Sequence, residues 1–186
     1  MKRRLRRLAR RVLQRSRPPQ TALIVPVPSA EPAVAKWRAR HDPSAPLGMP
    51  AHVTVLYPFL ATEAITPSVE RDLESVLSPF PAFEFKLVGV DRFPGVLYLA
   101  PEPAEPFTRL TAALYERWPD HPPYGGTFDE VVPHVTVIQG NEPPEAEGEL
   151  EQATAIDAEA KEVWLMAERG HRWSLLRRFP LRPRAG

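Results

Sequence analysis

The chain of 186 residues contains no cysteine. That excludes a disulfide framework, thiolate-bound zinc and a cysteine nucleophile, and it leaves the redox compartment undetermined. Long apolar runs are missing too, and nothing approaches the roughly 20 residues that a membrane-spanning helix needs. Pro26 and Pro28 interrupt the short Ala22–Val25 run that follows the N-terminal arginines, so no secretory core is present. Ser16 is the single serine of that Arg-rich start, a poor match to an organelle transit peptide, and the cytoplasm is the default expectation. No GxxxxGK[ST] phosphate loop occurs.

Proline is abundant at 24 residues but is spread through turns, where it punctuates the chain without forming a low-complexity segment. At 43% hydrophobic, the chain can bury a substantial interior as one domain or two small lobes sharing a core. The net charge of +1 hides an asymmetry. Residues 1–17 hold nine of the 24 Lys/Arg and no acid, leaving 15 basic against 23 acidic residues, a net of −8. A basic tail of this kind suits contact with RNA phosphates or an anionic membrane surface, and Leu5, Leu8, Val12 and Leu13 fall near one helical face. The plainer reading is a solvated extension. The expected organisation is therefore an N-terminal extension over 1–20 and a single domain over 21–186, acting as a monomer.

The most informative feature is a repeated tetrapeptide, His52-Val53-Thr54-Val55 and His134-Val135-Thr136-Val137, 82 residues apart. Alternate side chains of a strand point to opposite faces, so each His and Thr share one face while the valines face a buried layer. Threonine makes up 9 of the 186 residues, so two of only five histidines sharing a whole tetrapeptide is poorly explained by chance.

Around the motifs the pattern reads as strand Thr21–Val27, helix Pro32–Arg40, strand His52–Tyr57, a helix capped by Thr66-Pro67, and a hairpin around Phe93-Pro94-Gly95. The second half repeats this order: helix Pro106–Trp118, the second His strand after Pro133, a short acidic helix within Glu142–Gln152, and a hairpin around Arg169-Gly170. The fold expected is α+β, a bilobal pseudo-twofold duplication with two mainly antiparallel sheets facing a central groove and helices outside. Leu56 and Ile138, two places on from each Thr, are candidate apolar walls of that groove or ordinary packing.

A histidine pair with pKa values near 6.5 can hold one neutral and one protonated ring, a base and an acid at once. Threonine adds a hydroxyl that can donate to a phosphoryl oxygen. The set suits phosphodiester cleavage with attack and departure on opposite sides of phosphorus. A metal centre fits less well, because the motifs carry no acid and metal sites usually need three or four ligands; the nearest acids to His134 are Asp129 and Glu130, before Pro133. A Ser-His-Asp triad would leave the duplication unexplained. No cofactor and no metal is expected.

The paired motifs, their separation and the duplicated order over residues 21–181 resemble the two-histidine phosphoesterases, which include bacterial 2′-5′ RNA ligases and cyclic nucleotide phosphodiesterases. The resemblance implies metal-independent chemistry on a nucleotide or RNA 2′,3′-cyclic phosphate, giving a 2′-phosphate. It makes His52 and His134 the catalytic pair and Thr54 and Thr136 the phosphate-holding residues. One departure is Ile138-Gln139-Gly140-Asn141 after the second motif, where RNA-ligase members commonly carry a basic residue. With the acidic body, it weighs against ligation and long-RNA handling; Arg92, Arg109, Arg177 and Arg178 could supply some positive charge. Tyr57, Tyr98 and Tyr124 are candidates for stacking on a base. Tyr57 shares the phase of the valines and is expected in the core, while Tyr124, beside Gly125-Gly126, is the better substrate contact. RNA end joining, and a nucleotide- or RNA-binding module with little turnover, remain the alternatives to hydrolysis.

Overall fold

The computed structural model describes residues 20–128 and 130–184; the expectations placed on the tail, residues 1–17, fall outside this range. Eight strands form one antiparallel sheet: β1 Thr21–Pro26, β2 His52–Leu56, β3 Phe83–Phe93, β4 Val96–Glu102, β5 Val135–Gln139, β6 Ile156–Ala160, β7 Glu162–Arg169 and β8 Arg172–Pro180. Helices α1 Glu31–His41, α2 Pro67–Leu77, α3 Glu105–Arg117 and α4 Ala146–Gln152 cover one face. The strand order is β6-β3-β4-β5-β2-β1-β7-β8, so the two expected sheets are one, curled about the β2/β5 pair at its centre.

The expected chain order survives in β1-α1-β2-α2 and β4-α3-β5-α4, with β1 beside β2 and β4 beside β5. The hairpin strands are exchanged between the halves. β3 follows α2 but pairs with β4 and β6, while β7 and β8 return to pair beside β1. Hydrophobic alternation specifies which face of a strand is buried, not which neighbour it joins, so this exchange has no signature in the periodicity. Strand β6 (Ile-Asp-Ala-Glu-Ala) has no counterpart in the expected pattern. It is an edge strand with exposed Asp157 and Glu159 and only Ile and Ala toward the interior, a composition of low strand propensity.

Local chemistry accounts for the other elements. Thr66 caps α2 by accepting from the Val69 N–H at 3.4 Å, with Pro67 at the first helical position. Leu73 and Leu77 of α2 and Phe107, Leu110 and Leu114 of α3 then fall on buried faces, and they pack against Val53, Val55, Leu56, Val135 and Val137 in the main core. Phe83 and Phe85 meet Phe107 edge-on with ring centroids 5.0 Å apart. Gly170 and His171 both have positive φ, as a two-residue turn between β7 and β8 requires.

Candidate active site

The two motif strands are neighbours in the middle of the sheet, antiparallel, with Val53 opposite Val135. Because the motifs meet at equivalent positions, the same register sets His52 across from Thr136 and Thr54 across from His134. The valines are buried under the helices and the four polar side chains are half-buried on the opposite face. Thus both imidazoles and both hydroxyls share one patch at the centre of one sheet.

Leu56 and Ile138 do not line that patch. On β1, consecutive Leu23 and Ile24 pair with Leu56 and Thr54; on β4, consecutive Leu97 and Tyr98 pair with Ile138 and Thr136. Each motif strand therefore carries one extra residue, Val55 or Val137, a bulge in the fourth motif position. A bulge shifts the alternation by one. Val55, Leu56, Val137 and Ile138 all turn into the main core at 0–1% exposure, and their packing reading holds. The carbonyl of Val55 accepts a hydrogen bond from the buried Thr111 hydroxyl of α3 at 2.8 Å, which satisfies the bulged backbone.

Both histidines are oriented in one way. His52 Nδ1 lies 2.7 Å from the Pro50 carbonyl oxygen and His134 Nδ1 lies 2.7 Å from that of Val132, each two residues upstream. A carbonyl can only accept, so Nδ1 carries the proton and Nε2 is the nitrogen left for chemistry. His52 Nε2 is 3.2 Å from the Thr54 hydroxyl, which donates to it when the ring is neutral. Burial depresses both rings. It takes His52 to about 4, with Arg38 and His134 adding repulsion against the Pro50 hydrogen bond and Asp42, and it lowers His134 against the hydrogen bond to Val132.

The surroundings of the two rings differ. His134 is packed by Phe93 edge-on and by Tyr98 at a tilt, both with centroids 5.1 Å away, and Phe93 and Tyr98 stack on each other at 4.4 Å. Tyr98 is hydrogen-bonded to Asp91, and burial raises its hydroxyl's pKa. On the His52 side, Ile24, Ala22, Met49 and Met166 form a small second core capped by half-buried Tyr57, Trp164 and Trp173. Tyr57 thus packs, as expected, but in this second core on the motif face.

Tyr124 comes to the site from the loop before β5. Its hydroxyl is hydrogen-bonded to that of Thr54, while burial raises its pKa. With the Thr54 proton directed at His52 Nε2, the Thr54 oxygen accepts from Tyr124, giving a chain Tyr124–Thr54–His52. The Tyr124 backbone is left-handed (φ 52°, ψ 30°), an unfavourable setting for a residue with a Cβ, and its N–H bonds the Tyr57 carbonyl at 2.5 Å.

The arginines proposed to supply positive charge are engaged elsewhere: Arg92 with Glu142 and Glu147, Arg109 with Glu105, Arg177 with Glu70 and Glu74, and Arg178 with Glu162. A surface crevice of about 900 Å³ lies away from the motif residues; four acids, Glu84, Glu102, Asp157 and Glu159, line it against two lysines, Lys86 and Lys161, a net negative balance that disfavours phosphate. Among the described residues no cluster of three or more His, Cys, Asp or Glu could hold a metal ion, and no helix is long and apolar enough to cross a membrane.

This geometry meets its relatives here. A model of the 2′-5′ RNA ligase superfamily matches residues 26–172, a span that includes both motifs. The chain belongs to that superfamily, the two-histidine phosphoesterases. Among curated protein sequences, none matches the chain significantly. Solved structures that share its fold include Escherichia coli LigT in apo form (20% identity, TM-score 0.58, 89% of this chain and 99% of that one). LigT complexed with 3′-AMP also matches (21%, 0.56, 89% and 99%), as does a protein of Thermus thermophilus (18%, 0.57, 89% and 100%). At these identities the likeness is one of fold. As a two-histidine phosphoesterase, the chain falls among enzymes that act on phosphodiester bonds.

Proposed function

We propose that this two-histidine phosphoesterase hydrolyses the 2′,3′-cyclic phosphate of nucleotides or short RNA ends without a metal. The observation that supports the reading is the side-by-side pairing of the two motif strands, with both histidines and both threonines on one face of the sheet and each Nδ1 held by a backbone carbonyl. Thr54 and Thr136 donate to the phosphoryl oxygens, with Tyr124 beside Thr54. One imidazole takes a proton from water as its oxygen bonds to phosphorus. The other, as imidazolium, gives a proton to the ribose oxygen as the P–O bond breaks. The products are a phosphomonoester and a free hydroxyl, and the exchanged protons return through solvent.

Both rings favour the neutral form without substrate, so the proton of the acid arrives with the anion: a bound phosphate raises the pKa of the adjacent imidazole. Binding also draws the Thr54 proton toward the phosphoryl oxygen and uncovers His52 Nε2. RNA end joining, with an RNA 5′-hydroxyl in place of water, is the second reading, favoured by the superfamily itself. The engaged arginines and acidic surface give it less support, since holding a polyanion calls for local positive charge. Incubation with 2′,3′-cyclic mononucleotides and with cyclic-phosphate-ended RNA, in EDTA, separates them. Mononucleotide hydrolysis supports the proposal; joined RNA without hydrolysis overturns it in favour of ligation, and binding without turnover would make the protein a nucleotide-binding module.

A further inference from the structure

One buried charge cluster near the motifs takes no part in the chemistry above. Arg38, in α1 at 2% exposure, donates through Nε and Nη2 to Asp42 Oδ2 at 3.0 and 2.9 Å, and through Nη2 to the Met49 carbonyl at 2.9 Å. Its Nη1 reaches Glu31 Oε1 at 3.4 Å, and the same Glu31 oxygen accepts the Ala51 N–H at 2.6 Å. Asp42 Oδ1 in turn accepts from the Ser44 N–H and hydroxyl. The segment 42–51 therefore leaves α1 and is fastened back onto it on both sides of Pro50. The turn at Gly48 (φ 101°) admits only glycine, because a Cβ there would meet the Trp173 carbonyl oxygen at 2.8 Å.

Pro50 is the residue whose carbonyl holds His52 Nδ1. With Met49 tied through its oxygen to Arg38 and Ala51 tied through its nitrogen to Glu31, the intervening Pro50 carbonyl has a fixed direction. The equivalent carbonyl on the other side, Val132, belongs to a residue 38% exposed in the loop before β5. One histidine is braced by a buried ion pair, and the other is held from an exposed loop and by the rings of Phe93 and Tyr98.

We infer that Arg38 and Glu31 are positioning residues that hold the Pro50 carbonyl, and through it the His52 ring, with Nε2 unprotonated and aimed into the site. The inference rests on reading His52 as an acid–base residue. Arg38 and Asp42 push the His52 equilibrium in opposite directions, and His134 adds repulsion, so the clamp acts through geometry more than through charge. Ring orientation matters because a displacement near 1 Å can lower turnover by about 10²-fold.

The test is direct observation of the ring. Imidazole-¹⁵N-labelled protein is studied by long-range ¹H–¹⁵N correlation at a pH of about 8, where both rings are neutral. Wild type is expected to show His52 protonated at Nδ1 alone. Arg38→Met and Glu31→Ala should both bring in the Nε2-protonated tautomer at His52 and leave His134 unchanged, with kcat on a cyclic mononucleotide down by about 10- to 100-fold and KM little altered. Glu31→Gln keeps an oxygen acceptor for Ala51 and should restore the wild-type tautomer. Arg38 is buried and its loss endangers the fold, so the Glu31 pair, at a side chain 39% exposed, decides the matter if Arg38→Met does not fold. A folded Glu31→Ala protein with an unchanged His52 tautomer and kcat within about two-fold of wild type overturns the inference. A tautomer change in a protein whose wild type turns over no phosphodiester would uphold the clamp and reject the functional reading instead.

Discussion

Lowering the pH should destabilise this protein through His52. In the unfolded chain the imidazole binds a proton near pH 6.5; in the native state it does so only at about 4. Between these values the unfolded state carries the extra proton, so native stability falls as the pH drops through the window and is fully present above it. A shift of about 2.5 units at 1.36 kcal/mol each gives at most about 3 kcal/mol, and solvent screening of the half-buried ring lowers that ceiling. His134 is depressed as well and adds in the same direction. The assay is urea unfolding of wild type and His52→Gln at intervals from pH 4 to 8. Carboxylates common to both proteins cancel in the difference. The stability gap should change by about 2–3 kcal/mol across the window, with wild type losing more on acidification. A gap that is flat from pH 4 to 8 would refute the reasoning, because it would mean that the His52 ring charges as easily in the fold as in water.

Tyr124→Phe removes the hydroxyl bonded to Thr54 and should lower turnover of a cyclic mononucleotide by about five-fold, the scale of one net hydrogen bond near 1 kcal/mol. Steady-state kinetics against wild type checks it. Thr54→Val and Thr136→Val should each weaken phosphate contact and raise KM, by less than either histidine substitution lowers turnover, measured in the same assay. Deleting residues 1–17 should leave mononucleotide hydrolysis intact, since the first strand begins at Thr21. If the tail captures RNA, the deletion should also weaken RNA binding and flatten its salt dependence, read by a titration at several ionic strengths.

Much of the candidate site's geometry was legible in the sequence because it is written as a strand pattern. The His-x-Thr phase follows from alternation alone, and the repetition indicated that the two copies meet. Tyr124 could be suspected from the Gly125-Gly126 that follow it, since neighbouring glycines mark a backbone able to adopt positive φ. The destinations of Leu56 and Ile138 were not legible. Nothing in the sequence Val55-Leu56 or Val137-Ile138 announces a bulge, and without it strict alternation would aim both side chains into the groove. Fusion of the two expected sheets into one was equally hidden, because β2 and β5 join through a single register pair, Val53 and Val135, far apart in the chain. Arg38 and Asp42 sit four apart at a helix end, where an exposed ion pair is the ordinary reading; their burial depends on the loop 42–51 folding back.

The account stands on paired acid–base action by His52 and His134. Its most direct test is single-turnover hydrolysis of a nucleoside 2′,3′-cyclic phosphate in EDTA by wild type, His52→Ala, His134→Ala and the double variant. Each single replacement should slow the reaction by about 10²–10⁴-fold, and the double variant should lose far less than the product of the two, because the rings act as a unit. Wild-type rates in either folded single variant would place the chemistry elsewhere and contradict the account.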